Sequence, residues 1–140
     1  MKKNRGFSLL ELLIVVAIIL IIATIAIPSL LRSRQAANES SAVANVRTIN
    51  TAEVTYLSSA GGSYGDVTAL VAAGLLDSRF SAANGVSGYL FVVTASGSNY
   101  TVTADPTSTN TGRWNYTSGP DAVVRYGTLG PAGFSGQPVQ

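Results

Sequence analysis

The chain contains no cysteine and no histidine, and charged residues make up only 11% of its 140 residues. Disulfides, cysteine nucleophiles, serine–histidine–aspartate triads and zinc sites with the usual ligands are therefore excluded. The net charge of +2 depends on Lys2, Lys3 and Arg5, because the residues after Gly6 carry six arginines against seven acids. This composition does not favour binding to nucleic acid, and it predicts neither catalysis nor a bound cofactor.

The longest apolar run is residues 9–27, which only Glu11 and Thr24 interrupt. As a helix it would extend ~28 Å, close to the ~30 Å hydrocarbon core of a bilayer. It has no polar face, so the core helix of a soluble domain is a poor alternative. The basic residues before it predict a cytoplasmic N-terminus, with the rest of the chain outside the cytoplasm. We therefore expect residues 7–28 to span a membrane.

A cleaved secretory signal peptide is the other interpretation of this N-terminus, with a cut after Thr24-Ile25-Ala26. The apolar run is longer than the usual ~7–15 residues of such signals. Glu11 also lies where their apolar region is uninterrupted, and Pro28 follows the cut closely. These features favour a retained helix.

Helical periodicity continues after Pro28, where a lost hydrogen bond predicts a kink. Apolar residues recur three and four apart, which predicts an amphipathic half of the same helix over residues 29–60: Ala42, Val43, Val46, Ile49, Val54 and Leu57. Residues 61–63, Gly-Gly-Ser, should end it. Its charged residues lack an opposite charge three or four positions away, so they are either solvated or paired with neighbouring subunits: Arg32, Arg34, Glu39, Arg47 and Glu53.

Residues 61–140 are predicted to form a globular head. Its first loop should contain one short helix, capped by Asp66, ended by Gly74 and anchored by Leu75, Leu76 and Phe80. Period-two patterns then predict strands at residues 89–94, 100–104, 113–117 and 122–126, with a hairpin connection at 95–98, a loop at 105–112 and an irregular tail at 127–140. The predicted fold is α+β, a long N-terminal helix packed on a small antiparallel sheet of three or four strands.

Candidate metal ligands are sparse. Asp105, Asn110 and Asp121 could offer oxygen atoms to calcium, but the sequence has no dense carboxylate loop. Turn formation explains these residues better, and caps or turns also account for Asp66 and Asp77. We predict no metal site and no catalytic residue.

The first eleven residues resemble the class III signal of type IV pilins and pseudopilins. The resemblance lies in a short basic leader, Gly6, Phe7 after it, and Glu11 as the fifth residue from Phe7, followed by the apolar run. It implies cleavage of the leader, residues 1–6, between Gly6 and Phe7 by a prepilin peptidase, which then N-methylates Phe7. A carboxylate in a membrane helix is unfavourable, so we expect Glu11 to act in assembly, where it would match the new amine of a neighbour's Phe7; an interfacial Glu11 without a partner is the alternative.

The resemblance predicts a structural subunit, major-pilin-like, of a type IV pilus. Copies of such a subunit bind one another in a helical homopolymer. Inner-membrane machinery with an ATPase assembles them, and the product is an extracellular filament on the cell surface. We also expect regular helix to be lost between about Ala17 and Pro28 on assembly. Two alternatives stay open: a periplasmic pseudopilin of a type II secretion system, and a membrane-anchored extracytoplasmic binding domain.

Overall fold

A computed structural model describes residues 6–128 and 137–139. The chain divides into two compact units, Met1–Ser33 and Arg34–Gln140. Helix α1 covers Leu9–Ser59 and includes Pro28. One helix continuing through this proline was predicted, and that prediction is confirmed.

The first unit contains the apolar part of α1. The most apolar 18-residue window of this helix has a mean hydropathy of 3.1. Its large side chains are exposed on every side, for example Leu9 at 80% and Ile25 at 73%. The Thr24 hydroxyl donates to the Ile21 carbonyl oxygen at 2.7 Å, which satisfies this polar group within the helix. By length and composition, this helix can cross a membrane.

The second unit contains the C-terminal part of α1 together with the residues predicted as the head. After α1 come helix α2, Val67–Ala72, and a 3₁₀ helix, Ser78–Ser81. Five strands follow and form one antiparallel sheet in the order β1-β2-β3-β4-β5. Their bounds are β1 Tyr89–Ser96, β2 Asn99–Pro106, β3 Trp114–Ser118, β4 Arg125–Thr128 and β5 Gln137–Pro138.

The sheet differs from the predicted one in strand number and bounds. Among the described residues it has five strands instead of three or four, and β4 begins at Arg125 because residues 122–124 form an irregular connection after the turn at residues 120–121, with φ +55° at Ala122. Gln137 and Pro138 pair with β4, so the prediction of an irregular tail is wrong for the residues that the structure describes there. Proline lacks an N–H and is tolerated in an edge strand. Residues 129–136 and 140 lie outside the described part of the chain.

The predicted caps, loop anchors and hairpin connection of the head agree with the structure in part. Asp66 caps α2 as predicted, accepting from the Ala69 N–H at 2.8 Å. Leu76 and Phe80 are buried anchors of this loop, but the 3₁₀ helix was missed, and Asp77 caps it. The β1–β2 connection is shorter than predicted, since only residues 97–98 separate the strands. Asp105 belongs to β2 and not to the predicted loop.

The core of the head lies between α1 and one face of the sheet. Ala42, Val46 and Ile49 are completely buried, and alternating residues of β1 and β2 oppose them. Val54, predicted to face this core, is 55% exposed. The inner positions recur at 42, 46, 49 and 53, so the helical repeat puts Glu53 inside and its neighbour Val54 outside.

Polar side chains also join α1 to the sheet. The buried Asn50 donates through Nδ2 to Ser118 Oγ at 2.8 Å and accepts from the Tyr100 hydroxyl at 3.0 Å. Both bonds connect residues far apart in sequence, so they fix the helix against β2 and the end of β3. Burial, the largest influence, raises the pKa of the Tyr100 hydroxyl. Tyr100 is therefore a neutral donor in this network.

Glu39 joins α1 to the start of β3. Its carboxylate accepts from the Arg113 backbone N–H at 2.9 Å, from Nε at 3.1 Å and from Nη2 at 2.9 Å. Burial alone would raise the pKa of Glu39, but these hydrogen bonds and the charge of Arg113 leave it lowered. Neither solvation nor pairing with another subunit, the two interpretations of the sequence, describes this residue, because its partner is 74 positions away in the same chain.

Glu53 is a fully buried carboxyl group beside the first loop of the head. Its Oε2 accepts from the Gly65 N–H at 3.1 Å, whereas Oε1 has no partner among the described residues. Burial has the largest effect and raises the pKa, the Gly65 bond lowers it, and the charge of Asp66 raises it again. The net shift is upward from 4.5, so folding favours the protonated form. Neither of the two interpretations of the sequence describes this residue either.

Replacing Glu53 with glutamine should therefore change how stability depends on pH. Because its folded pKa is raised, Glu53 contributes stability below its unfolded pKa, and this is lost as pH rises through the folded pKa. Relative to the Glu53→Gln variant, the unaltered chain should lose stability as pH rises from about 4 through the raised folded pKa of Glu53. Urea unfolding of the full chain in detergent at several pH values measures the difference.

Glu39→Gln is the matched control, since the folded pKa of Glu39 is lowered. Glu39 contributes stability above its unfolded pKa and loses it as pH falls, so the difference between the chain and this variant should change in the opposite direction. A difference in the free energy of unfolding between the chain and Glu53→Gln that is constant with pH would contradict the conclusion that folding disfavours the charged form of Glu53.

Candidate functional site

The segment around Gly6 and Phe7 precedes the first helical turn. Both residues are exposed and have no regular structure, and α1 begins two residues after Phe7. A side chain built on Gly6 would meet nothing within 4 Å, and Phe7 is 74% exposed. A protease can therefore reach the bond between them without unwinding a helix. Lys2, Lys3 and Arg5 of the predicted leader lie outside the described residues.

Ser8 and Glu11 form a capping box at the start of α1. The Ser8 backbone N–H donates to Glu11 Oε2 at 2.8 Å, and Ser8 Oγ accepts from the Leu10 N–H at 3.3 Å. Each side chain satisfies a backbone donor at the helix end. This partner of Glu11 was not predicted, although serine three residues before glutamate is the sequence signature of such a cap. Glu11 therefore has a local role in the unprocessed chain.

Glu11 is the only acid within the exposed apolar part of α1. A carboxylate at the centre of a bilayer costs about 2.5–3.5 kcal/mol on insertion scales, and less near the interface. One hydrogen bond from Ser8 satisfies one oxygen but supplies no opposite charge. The site therefore combines an accessible peptide bond, an acid in an apolar helix and an apolar surface that is exposed among the described residues of its unit.

Asp105 and Asp121, candidate calcium ligands in the sequence, each bind another residue of the chain. Asp121 Oδ2 accepts from Arg125 Nη2 at 2.6 Å, and the hydrogen bonds and charge of this partner lower the pKa of Asp121. Asp105 is half-buried in β2 and bonds to Asn115, with burial raising its pKa overall. Within residues 6–128 and 137–139, no three acidic side chains are grouped so as to hold a metal ion.

Comparison with known proteins agrees with this geometry. Residues 1–27 match the family described as the prokaryotic N-terminal methylation motif. The chain is also 45% identical over 56 residues to the type IV major pilin protein PilA of Myxococcus xanthus, which is 40% of this chain and 26% of that protein.

A second relative is the type IV wide pilus major component PilA4 of Thermus thermophilus. The identity is 54% over 39 residues, which is 28% of this chain and 30% of that protein. The chain therefore spans less than a third of the length of these curated relatives. The resemblance noted from the sequence is confirmed as a similarity: residues 1–27 match the methylation motif, and part of the chain is similar to part of two type IV pilus major components.

Proposed function

We propose that this chain is a structural subunit of a type IV pilus and acts by assembly, not by catalysis. The observation that carries the proposal is the exposed apolar helix that begins two residues after the accessible Gly6–Phe7 bond and contains Glu11. Cleavage would leave this helix in place, so the segment that holds the subunit in the membrane becomes the segment that joins subunits. Both relatives are named as pilus components, which favours a pilus over a secretion pseudopilin or a simple membrane anchor.

The proposed assembly step exchanges lipid contacts for contacts between subunits. A prepilin peptidase removes residues 1–6 and N-methylates Phe7, which leaves a cationic amine at the membrane surface. Glu11 of one subunit then pairs with the Phe7 amine of a neighbour, and the apolar helices bundle. An inner-membrane machine with an ATPase supplies the energy and extrudes the homopolymer to the cell surface.

Pro28 is proposed as the weak point of the helix during this step. Its nitrogen carries no hydrogen, so the carbonyl group of Thr24 lacks the donor that a regular helix would provide. The hydroxyl of Thr24 bonds to the Ile21 carbonyl and supplies no replacement. We propose that residues between Ala17 and Pro28 lose regular helix in the filament, where packing between subunits offsets about 0.5–1.5 kcal/mol for each lost bond.

The processing step gives the direct test of this proposal. Mass spectrometry of the N-terminal peptide from cells that also contain a prepilin peptidase should find a mature chain that begins with methylated Phe7. The Gly6→Val variant should stay uncleaved, because a branched side chain obstructs close approach to the backbone. Ala26→Leu, which blocks a signal-peptidase site, should be processed normally. A mature chain starting at Ile27 would remove the apolar helix and refute the proposal.

A further inference from the structure

A groove in the head lies along α1 beside the exposed cation Arg47. Arg47, Thr51, Val54 and Thr55 line it along the helix, with Asn50 and Ala122 completing a cavity of about 410 Å³. Val54 is 55% exposed, and Arg47 is exposed with no ion pair in the part of the chain that the structure describes. The groove therefore offers an apolar contact next to an unneutralised guanidinium group.

Few acidic residues of this chain could form an ion pair with Arg47 of another copy. Of seven acidic residues, five are paired, enclosed or inside the apolar helix: Glu11, Glu39, Glu53, Asp105 and Asp121. The remaining two, Asp66 and Asp77, are exposed at the starts of α2 and the 3₁₀ helix. Each uses one oxygen to accept a backbone N–H, from Ala69 and Arg79 respectively, both at 2.8 Å. Their second oxygens form no ion pair among the described residues.

The surface that carries Asp66 and Asp77, called the acidic face below, and the groove lie at different parts of the sheet. Residues around Asp66 and in the 3₁₀ helix line a hollow together with β1, the strand at one edge. Ala122, in the groove, belongs to the turn between β3 and β4. Two strands, β2 and β3, separate β1 from β4, at about 4.8 Å per strand spacing. One copy therefore presents the two surfaces in different places.

We propose that the face bearing Asp66 and Asp77 docks into the Arg47 groove of a second copy of this chain. The net charges are opposite, since Asp66 and Asp77 outnumber Arg79, the exposed cation of the same 3₁₀ helix, and Val54 gives the contact an apolar centre. Because the two surfaces differ and are separated, the contact is heterologous, so each copy can bind one neighbour on each side and the chain of copies continues. This inference rests on the proposed function and names the contact between heads that would accompany bundling of the apolar helices.

Charge variants test the pairing directly. Arg47→Glu should lower the yield of sheared filaments by about five-fold, since it replaces attraction with repulsion at an interface. In an Asp66→Asn, Asp77→Asn background the same change should lower the yield by less than about two-fold, because asparagine keeps both caps but removes both charges. Arg34→Glu, the same change elsewhere on α1, should have an equal effect in both backgrounds. An Arg47→Glu loss that is absent, or equal in both backgrounds, overturns the pairing.

Crosslinking tests the geometry, because engineered cysteines would be the only thiols in this chain. Thr51→Cys lies in the groove, and Thr68→Cys or Ser78→Cys lies on the acidic face. In intact filaments treated with a short thiol crosslinker, Thr51→Cys with either partner should give a ladder of dimers, trimers and longer products. Single-cysteine chains should stay monomeric. Dimers of the chain that carries Thr51→Cys alone would overturn the heterologous contact. So would the absence of crosslinked products from the pair with Thr68→Cys and also from the pair with Ser78→Cys.

The two proposals can fail separately in these experiments. If the unaltered chain forms no filaments, the pilus function fails and this docking contact falls with it. If the unaltered chain forms filaments that contain it but the variants show neither coupling nor a ladder, only the docking contact is wrong.

Discussion

Replacing Glu11 with leucine should leave membrane insertion intact and reduce filament yield by about ten-fold or more, which corresponds to about 1.4 kcal/mol for each subunit that docks. Insertion should not suffer because the variant removes a carboxylate from an apolar helix. Assembly should suffer because the proposed partner of the Phe7 amine is lost. Immunoblots of the membrane and sheared fractions measure both quantities in the same cells.

Glu11→Gln is the control that separates charge from helix capping. Glutamine can accept the Ser8 N–H as glutamate does at 2.8 Å, so the capping box is retained while the charge is removed. If the charge is what assembly needs, the glutamine and leucine variants should lose filaments to a similar extent. Normal filament numbers in Glu11→Leu would show that the carboxylate has no assembly partner. A loss of filaments in Glu11→Leu but not in Glu11→Gln would assign the effect to helix capping.

Gly85→Ala should destabilise the head by about 2–4 kcal/mol, since it combines backbone strain with a steric clash. Gly85 has φ +71°, and a Cβ there would collide with the Tyr89 backbone carbonyl. Backbone atoms cannot move aside easily, because the Val86 N–H donates to that same oxygen at 2.7 Å. Urea unfolding of the full chain in detergent, followed by the fluorescence of Trp114, gives the free energy of unfolding.

Gly97→Ala is the matched control for this effect. Gly97 also has a positive φ, +57°, but a Cβ there would meet nothing within 4 Å. Its cost should be limited to the strain of the left-handed conformation, about 1 kcal/mol. Equal losses in the two variants would mean that the collision with Tyr89 does not occur.

The sequence was most informative where a local pattern decides the structure. The apolar run, the cap at Asp66 and the β1–β2 hairpin depend on neighbouring residues, and all three are present. Glu39 was beyond such reasoning, because its partner Arg113 is far away in sequence. Glu53 was missed for a different reason: Val54 was assigned to the inner face, where the helical repeat puts its neighbour.

The remaining differences come from pairings that sequence patterns describe poorly. β5 contains a proline and few residues, so only its pairing with β4 defines it as a strand. The partner of Glu11 at Ser8 was readable from the spacing of serine and glutamate, but only a partner in another subunit was expected. The exposed groove at Arg47 depends on the turn at Ala122, whose position no periodicity predicts.

We expect this chain to polymerise through its N-terminal helix, and a side-chain-resolution electron cryomicroscopy map of sheared surface filaments would show whether it does. The map should fit this sequence from Phe7 onward, with the helices of residues 9–27 bundled in the interior, Glu11 within reach of a neighbour's Phe7 amine and the heads outside. Filaments whose density fits another sequence, or in which residues 9–27 of this chain lie away from all neighbouring subunits, would contradict the account.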